Sequence, residues 1–168
     1  MDDINFCLRC GQALEQRARF GRMRPVCPAC GRVHFIDPKV AVGVMIERLG
    51  QVLLIQRANP PEQGNWSFPA GFVDGGENPA RAAEREACEE TGLTVRALDV
   101  LAVVGKAAPN EGADILIVYR AEVVGGALAP ADDAVAARYF GPHEVPANLA
   151  FPSTRQIIGE WQSRQPPG

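Results

Sequence analysis

Residues 71–93 read Gly71-Phe-Val-Asp-Gly-Gly-Glu77-Asn-Pro-Ala-Arg-Ala-Ala-Glu-Arg85-Glu86-Ala-Cys-Glu89-Glu90-Thr-Gly92-Leu93. Asn78 suits the N-cap of a helix, Pro79 suits its first position, and Gly92 suits a left-handed stop. The segment therefore predicts a helix over Pro79–Thr91. This helix would pack closely against a sheet through a stripe of small side chains: Ala80, Ala83 and Ala87.

Three acids of the same segment, Glu86, Glu89 and Glu90, stand at i, i+3 and i+4 and so share one helix face. Like charges at this spacing destabilise a helix by about 0.2–0.5 kcal/mol per pair. Two interpretations stay open. The acids form a solvated face with Arg81 and Arg85 as partial relief, or they bind a hard divalent cation together with a substrate phosphate.

Four of the five cysteines form two pairs with the spacing C-x₂-C-x₁₆-C-x₂-C: Cys7, Cys10, Cys27 and Cys30. This spacing predicts a closed, structural Zn²⁺ site. Two disulfides are the alternative, which a reducing compartment disfavours. About 35 residues bury too little to fold alone, so the segment should depend on its metal. Because four thiolates complete the shell, we interpret His34 as a surface or interdomain residue.

The remainder of the chain predicts an α/β domain, separated from the cysteine segment by the break Asp37-Pro38. The two domains are a zinc ribbon over 1–36 and the α/β domain over 37–168. Ser153 is predicted to cap the last helix, with Gln156 as its capping-box partner. The predicted strands and last helix are Val40–Arg48, Val52–Arg57, Val95–Val104, Ile115–Val124, Val135–Phe140 and Ser153–Trp161.

Composition excludes several classes of protein. The chain has 168 residues, of which 46% are hydrophobic, and this fits one globular core with a small appendage. Its apolar runs fall short of the roughly 18 residues of a membrane span, and its N-terminus lacks the features of a secretion signal, so we expect a cytoplasmic protein. The net charge is −3, so a nucleic-acid partner is not expected, although residues 1–36 hold six arginines and three acids.

The segment from Gly71 to Leu93 resembles the Nudix box, G-x₅-E-x₇-R-E-U-x-E-E-x-G-U, in which U is aliphatic. Ala87 is small for the first U position. The other matched positions are Gly71, Glu77, Arg85, Glu86, Glu89, Glu90, Gly92 and Leu93. With its cysteine segment, the chain is similar to the zinc-ribbon Nudix hydrolases that split ADP-ribose and FAD. The resemblance implies an α/β/α sandwich with a mixed sheet, and it allows a homodimer.

The resemblance also implies roles for individual residues. Glu86, Glu89 and Glu90 would hold Mg²⁺ or Mn²⁺, with the Gly71 carbonyl as a further ligand. Glu89 is the candidate base, although neighbouring carboxylates titrate as a group. Glu77 and Arg85 would pair and fix the geometry between loop and helix.

Further residues are candidates for contacts with the substrate. Arg57 could reach a phosphate, and Phe151 could stack on a base. Members of the family often recruit another acid from a later loop, for which Glu111 and Asp114 are the candidates. Each of these four residues also has an ordinary structural interpretation, such as a surface ion pair for Arg57.

The implied reaction is Mg²⁺-dependent hydrolysis of ADP-ribose or FAD to release AMP. The related NADH pyrophosphatases carry a Ser-Gln-Pro-Trp-Pro-Phe-Pro-x-Ser motif after the box, and residues 100–110 lack it. An NAD(H) diphosphatase or an RNA decapping hydrolase is therefore the second hypothesis. A non-catalytic nucleotide sensor is the third, which the intact acids disfavour.

Overall fold

The computed structural model describes residues 4–105 and 112–165, and the chain divides into two compact units after Pro38. The first unit contains an antiparallel hairpin of β1 (Glu15–Arg19) and β2 (Arg22–Val26). One cysteine pair precedes this hairpin and the other follows it. Within the described ranges, no helix is long and apolar enough to cross a membrane.

A seven-stranded mixed sheet forms the centre of the second unit. Its strands are β3 (Val40–Arg48), β4 (Gln51–Arg57), β5 (Trp66–Ser67), β6 (Ala70–Phe72), β7 (Leu93–Gly105), β8 (Ile115–Gly126) and β9 (Ala134–Phe140). The order along the sheet is β5-β4-β3-β8-β7, and β6 pairs with β3 and β9 with β4. Strands β3 and β8 run parallel, and the other pairs are antiparallel. The predicted mixed sheet is confirmed.

Two helices, α1 (Pro79–Thr91) and α2 (Pro152–Ser163), cover this sheet. Alternate residues of β3 enter different core clusters: Val42 and Val44 pack with α1, whereas Met45 packs with α2. Successive side chains of a strand point to opposite faces, so the helices lie on opposite faces of the sheet. Burial on both faces explains why β3 is an uninterrupted apolar run.

Helix α1 has the predicted bounds and caps. The Asn78 side chain accepts a hydrogen bond from the Ala80 N–H at 2.9 Å, Pro79 begins the helix, and Gly92 ends it with φ of 69°. The buried small residues are Ala82, Ala83 and Ala87, so Ala82 replaces the predicted Ala80 on the packed face.

The prediction for the start of α2 was wrong. Phe151, with φ of 50°, occupies the cap position, and no side chain caps the helix there. Pro152 takes the first helical position because its fixed φ suits it, and Ser153 therefore lies inside the helix. Gln156 donates to Glu160 at 3.0 Å instead of forming a capping box.

Candidate active site

Glu90 is the most buried of the three clustered acids of α1, which are Glu86, Glu89 and Glu90. It is 2% exposed and accepts a hydrogen bond from the Ala70 N–H at 2.8 Å. Burial raises the pKa of Glu90 to about 8, and the charges of Glu86 and Asp133 act in the same direction. The Ala70 N–H and Arg57 lower the pKa by less. A carboxylate in these surroundings is costly to ionise unless a cation compensates its charge.

Arg85 connects the loop before α1 with two of its acids. Its Nε and Nη2 donate to the two carboxylate oxygens of Glu77, each at 3.0 Å, and this lowers the pKa of Glu77. Its Nη1 donates to Glu86 at 2.7 Å and to Glu89 at 3.0 Å. Nη2 also donates to the Phe72 carbonyl at 3.0 Å. The pair predicted between Glu77 and Arg85 is present.

The Glu86 carboxylate lies directly against the backbone of Gly71. A Cβ atom at position 71 would stand only 2.1 Å from the carboxyl carbon and from Oε1 of Glu86. Burial raises the pKa of Glu86, while its contact with Arg85 acts in the opposite direction. A side chain at position 71 would therefore displace the Glu86 carboxylate from the loop.

The three acids do not form one solvated face. Glu86 and Glu90 are buried, and only the Glu89 side chain, which is 46% exposed, fits that interpretation. Arg81, one of the two arginines expected to relieve the acids, pairs with Glu84 at 2.6 Å instead. The surroundings of Glu86 and Glu90 thus favour the alternative in which the cluster receives a cation.

A cavity of about 290 Å³ opens beside these acids. Ala70 and Gly71, which Glu90 and Glu86 contact, form part of its wall. Other parts of the wall are apolar and include Ala41, Phe68, Phe72, Val104 and Leu116. An apolar cavity with a few polar groups at one end has the character of a small-molecule site.

Arg57 and Phe151, two predicted substrate contacts, both line this cavity. The Arg57 guanidinium lies over the Phe151 ring, 5.1 Å from its centroid, and its Nε donates to the Pro61 carbonyl at 2.9 Å. The end of β4 and the start of α2 thereby meet at one edge of the cavity. The arginine is therefore held near Glu90, whose pKa it lowers.

The predicted later acids have a different outcome. Glu111 lies outside the described residues. Asp114 accepts a hydrogen bond from the Lys39 N–H at 2.9 Å, where β3 and β8 begin, and it does not line the described cavity. Two acids near the site, Asp132 and Asp133, were not predicted, and their charges raise the pKa values of Glu86 and Glu90 respectively. Their sequence signal was weak: two adjacent acids in a loop before the last strand.

The donor set of the site fits a hard divalent cation. Carboxylate oxygens of Glu86, Glu89 and Glu90 and the Gly71 carbonyl are ligands of the type that Mg²⁺ accepts. In the described part of the chain, the oxygen atoms of these three carboxylates do not all lie within 4.8 Å of one another. Arg85 and a backbone N–H hold them instead. The burial of Glu90 beside other acids is the observation that favours a cation.

The four paired cysteines of the first unit form a second cluster. Their ligand atoms all lie within 4.8 Å of one another, with Cys7 Sγ 3.7 Å from Cys30 Sγ and Cys10 Sγ 3.5 Å from Cys27 Sγ. Zn–S distances of about 2.3 Å place tetrahedral sulfur atoms about 3.8 Å apart, so the cluster fits Zn²⁺. None of the cysteines forms a disulfide.

His34 was predicted at the surface or between the domains, and the surface position is wrong. It is 4% exposed, and its backbone N–H donates to the Pro25 carbonyl at 2.8 Å. Burial opposes ionisation of the Cys7 thiol, but the Arg9 N–H and the His34 side chain help to lower its pKa to about 5. His34 is not among the four clustered ligand residues.

Comparisons with known proteins agree with this geometry. The model of the NUDIX domain matches residues 37–161. An ADP-ribose pyrophosphatase of Methanocaldococcus jannaschii is 39% identical over 118 residues, which cover 70% of this chain and 69% of the relative. The NAD-capped RNA hydrolase NudC of Stutzerimonas stutzeri is 31% identical over 156 residues, which cover 92% of this chain but only 54% of the relative. The chain thus spans about half the length of that relative.

A crystal structure of a NUDIX hydrolase from Nitrosomonas europaea superimposes with a TM-score of 0.87 at 29% sequence identity. The match covers 96% of this chain and 92% of that structure. The fold, the order of the box residues and the family match all agree. The chain therefore belongs to the Nudix family, as its sequence predicted.

Proposed function

We propose that the chain hydrolyses the diphosphate bond of nucleoside diphosphates linked to another moiety, with ADP-ribose and FAD as its main substrates. One observation carries this proposal: the wall formed by Ala70 and Gly71 is contacted by buried acids on one side and borders an apolar cavity on the other. A diphosphate at this wall would leave the rest of the nucleotide in the cavity. The M. jannaschii relative, an ADP-ribose pyrophosphatase, supports the choice of substrate.

Glu86, Glu89, Glu90 and the Gly71 carbonyl would hold Mg²⁺ or Mn²⁺. When bound, a divalent cation would neutralise part of the phosphate charge and would lower the pKa of a bound water. Arg85 orients Glu86 and Glu89 through its Nη1 atom. The Glu89 carboxylate, which is exposed, would accept a proton from the attacking water.

The reaction consumes one water and changes no oxidation state. The water oxygen bonds to one phosphorus, the bond from that phosphorus to the bridging oxygen breaks, and the other phosphate leaves with that oxygen. ADP-ribose gives AMP and ribose 5-phosphate, and FAD gives AMP and FMN. The Arg57 guanidinium would contact a phosphate, and the Phe151 ring would stack on a base, because both line the cavity.

The test is a substrate panel with product separation by chromatography. Protein supplied with Mg²⁺ is incubated with ADP-ribose, FAD, NADH, capped RNA and deoxynucleoside triphosphates. We expect AMP from ADP-ribose and FAD at the highest rates. Glu89→Gln and Glu90→Gln should each lower turnover by at least about 100-fold, because each removes a charged ligand or base.

The matched control is Glu160→Gln, the same exchange at an exposed position of α2, which should keep full turnover. Near-normal rates in both Glu89→Gln and Glu90→Gln would contradict the mechanism. Nucleotide binding without turnover of any substrate would instead indicate a sensor.

An NAD-capped RNA hydrolase is the second candidate. The match with NudC covers 92% of this chain, so it must include most of the cysteine segment, whereas the match with the ADP-ribose pyrophosphatase covers 70%. Faster release of products from NADH or NAD-capped RNA than from ADP-ribose in the same panel would favour this candidate.

A further inference from the structure

One face of the β1–β2 hairpin carries four arginines. In the antiparallel register Arg17 lies opposite Arg24, and Arg19 lies opposite Arg22. Residues directly opposite each other in a sheet point to the same side, so all four side chains share one face. Between positions 15 and 26 the sequence has one acid, Glu15, which pairs with Arg17 at 2.7 Å.

Two aromatic rings extend the same face. Phe20, at the tip of the hairpin, and Phe35 stack with their centroids 6.0 Å apart and their planes at 24°. The Arg24 guanidinium lies over the Phe35 ring at 4.7 Å. Phe20 is 73% exposed and Phe35 is 49% exposed, so flat apolar surfaces face the solvent beside the cations.

This arrangement is unfavourable for the isolated hairpin. Like charges directly opposite each other destabilise a strand pair, and exposed rings bury little apolar surface. An anionic partner with flat rings of its own would offset both costs. We propose that this face, which we call the arginine–phenylalanine face and define by Arg17, Arg19, Phe20, Arg22, Arg24 and Phe35, binds single-stranded nucleic acid.

The choice of cation supports this partner. Residues 1–36 contain six arginines and no lysine. A planar guanidinium can contact a phosphate through two N–H groups and can also stack on a base, whereas the ammonium group of lysine acts as a point charge. Aromatic side chains next to a basic track bind unpaired bases without sequence preference. The net charge of the whole chain, −3, does not reflect this local excess of arginines.

The experiment measures binding of the full-length, zinc-loaded protein to a fluorescein-labelled single-stranded RNA of about 16 nucleotides. Anisotropy is recorded between about 50 and 200 mM salt, since each neutralised phosphate of a single strand contributes about −0.7 to the slope of log K against log salt. Arg19→Gln/Arg22→Gln should weaken binding about tenfold or more and should reduce the slope by about 1.4. Arg96→Gln/Arg120→Gln removes two exposed arginines of the second unit and should change neither quantity.

A second variant tests the rings separately from the charges. Phe20→Asn keeps a residue that tolerates the positive φ of 51° at this position. It should weaken binding about tenfold and leave the salt slope unchanged, because stacking is lost and no charge is lost. The zinc content of every variant is measured to show that the first unit remains folded.

The proposal would be overturned by no binding at low salt or by equal binding of the parent and both hairpin variants. Equal binding of a duplex, whose bases are already stacked, would overturn it as well. Preferential binding to vesicles of phosphatidylcholine with phosphatidylglycerol, without binding to the RNA, would also overturn it. Single-stranded DNA of the same sequence serves as a parallel arm, and binding there supports the proposal equally.

Discussion

Glu90 is deeply buried and accepts a hydrogen bond from the N–H of Ala70, which lines the cavity. Burial raises the pKa of this carboxyl from its ordinary 4.5 to about 8 in the folded protein. Between these two values the folded state keeps a proton that the unfolded state releases. The stability that protonated Glu90 contributes is therefore fully present below pH 4.5, and it is lost as the pH rises from 4.5 to about 8.

Without Mg²⁺ or Mn²⁺, we expect Glu90 to make the second unit less stable toward urea at pH 8 than at pH 5. Glu90→Gln should flatten this dependence by at least about 1 kcal/mol, because a neutral amide has no proton to lose. Glu160→Gln, an exposed exchange of the same kind, should leave the dependence as it is in the parent. Equal pH dependence in the parent and in Glu90→Gln would show that Glu90 does not titrate in this window.

Part of this site was predictable from single residues. The spacing of Glu86, Glu89 and Glu90 predicted that they share one face, because neighbours on a helix follow from its period. The pairing of Glu77 with Arg85 was instead an implication of the family resemblance. The burial of Glu90 was not predictable, since it depends on how the loop at Ala70 covers the helix. Asp133 reaches the site through tertiary packing, for which no local pattern exists.

At the scale of elements, the accuracy of prediction followed the strength of local signals. Helix α1 has the predicted bounds because its caps act through short-range contacts. Strands β5 and β6 contain two and three residues, too few to show alternation. The predicted start of α2 was wrong because Ser153 suits a cap position. Pro152, just before it, suits the first helical position and occupies it.

Gly92 determines how α1 ends. Its φ of 69° is strained for any other residue, and a Cβ there would stand 2.7 Å from the Ala127 carbonyl oxygen. We expect Gly92→Ala to lower the free energy of unfolding by more than about 1 kcal/mol. Gly159→Ala is the matched control, because this glycine lies within α2 with nothing within 4 Å of a Cβ.

Gly159→Ala should raise the free energy of unfolding by about 0.5–1 kcal/mol, since alanine is more favourable than glycine inside a helix. Both values are measured by urea unfolding at one pH. Shifts of the same sign in the two variants would contradict this account of the helix end.

At the scale of the whole molecule, the two units differ in what holds them together. The second unit has two apolar clusters that cover both faces of its sheet. In the described part of the first unit, the buried residues are Cys7, Pro25, Val26, Cys27 and His34. So small a core is insufficient for independent stability, and a bound metal must supply the difference.

We therefore expect Cys27→Ser to lose zinc and to unfold the first unit locally, while the second unit keeps its melting transition. Zinc content is measured by metal analysis, and local unfolding is measured by limited proteolysis. Cys88→Ser, at an exposed position of α1, is the control and should retain zinc. Full zinc content and an unchanged melting profile in Cys27→Ser would refute the zinc assignment.

The arrangement of strands lay beyond the sequence. Runs of β-branched and apolar residues predicted most of the strands, but the parallel pairing of β3 with β8 joins residues far apart in the chain. Such pairings depend on how distant apolar faces cover one another, and no window of neighbouring residues contains that information. The resemblance of residues 71–93 to a known family supplied the mixed sheet instead.

Helix α1 interleaves alanines that pack against the sheet with acids that contact the cavity wall at Ala70 and Gly71, and this constrains how the gene can change in length. One residue inserted into Pro79–Thr91 would rotate every later side chain by about 100°. Glu90 would leave its backbone partner, and Ala87 would leave the sheet, in the same event. Insertions and deletions among descendants of this sequence should therefore avoid α1 and accumulate in loops such as residues 58–65.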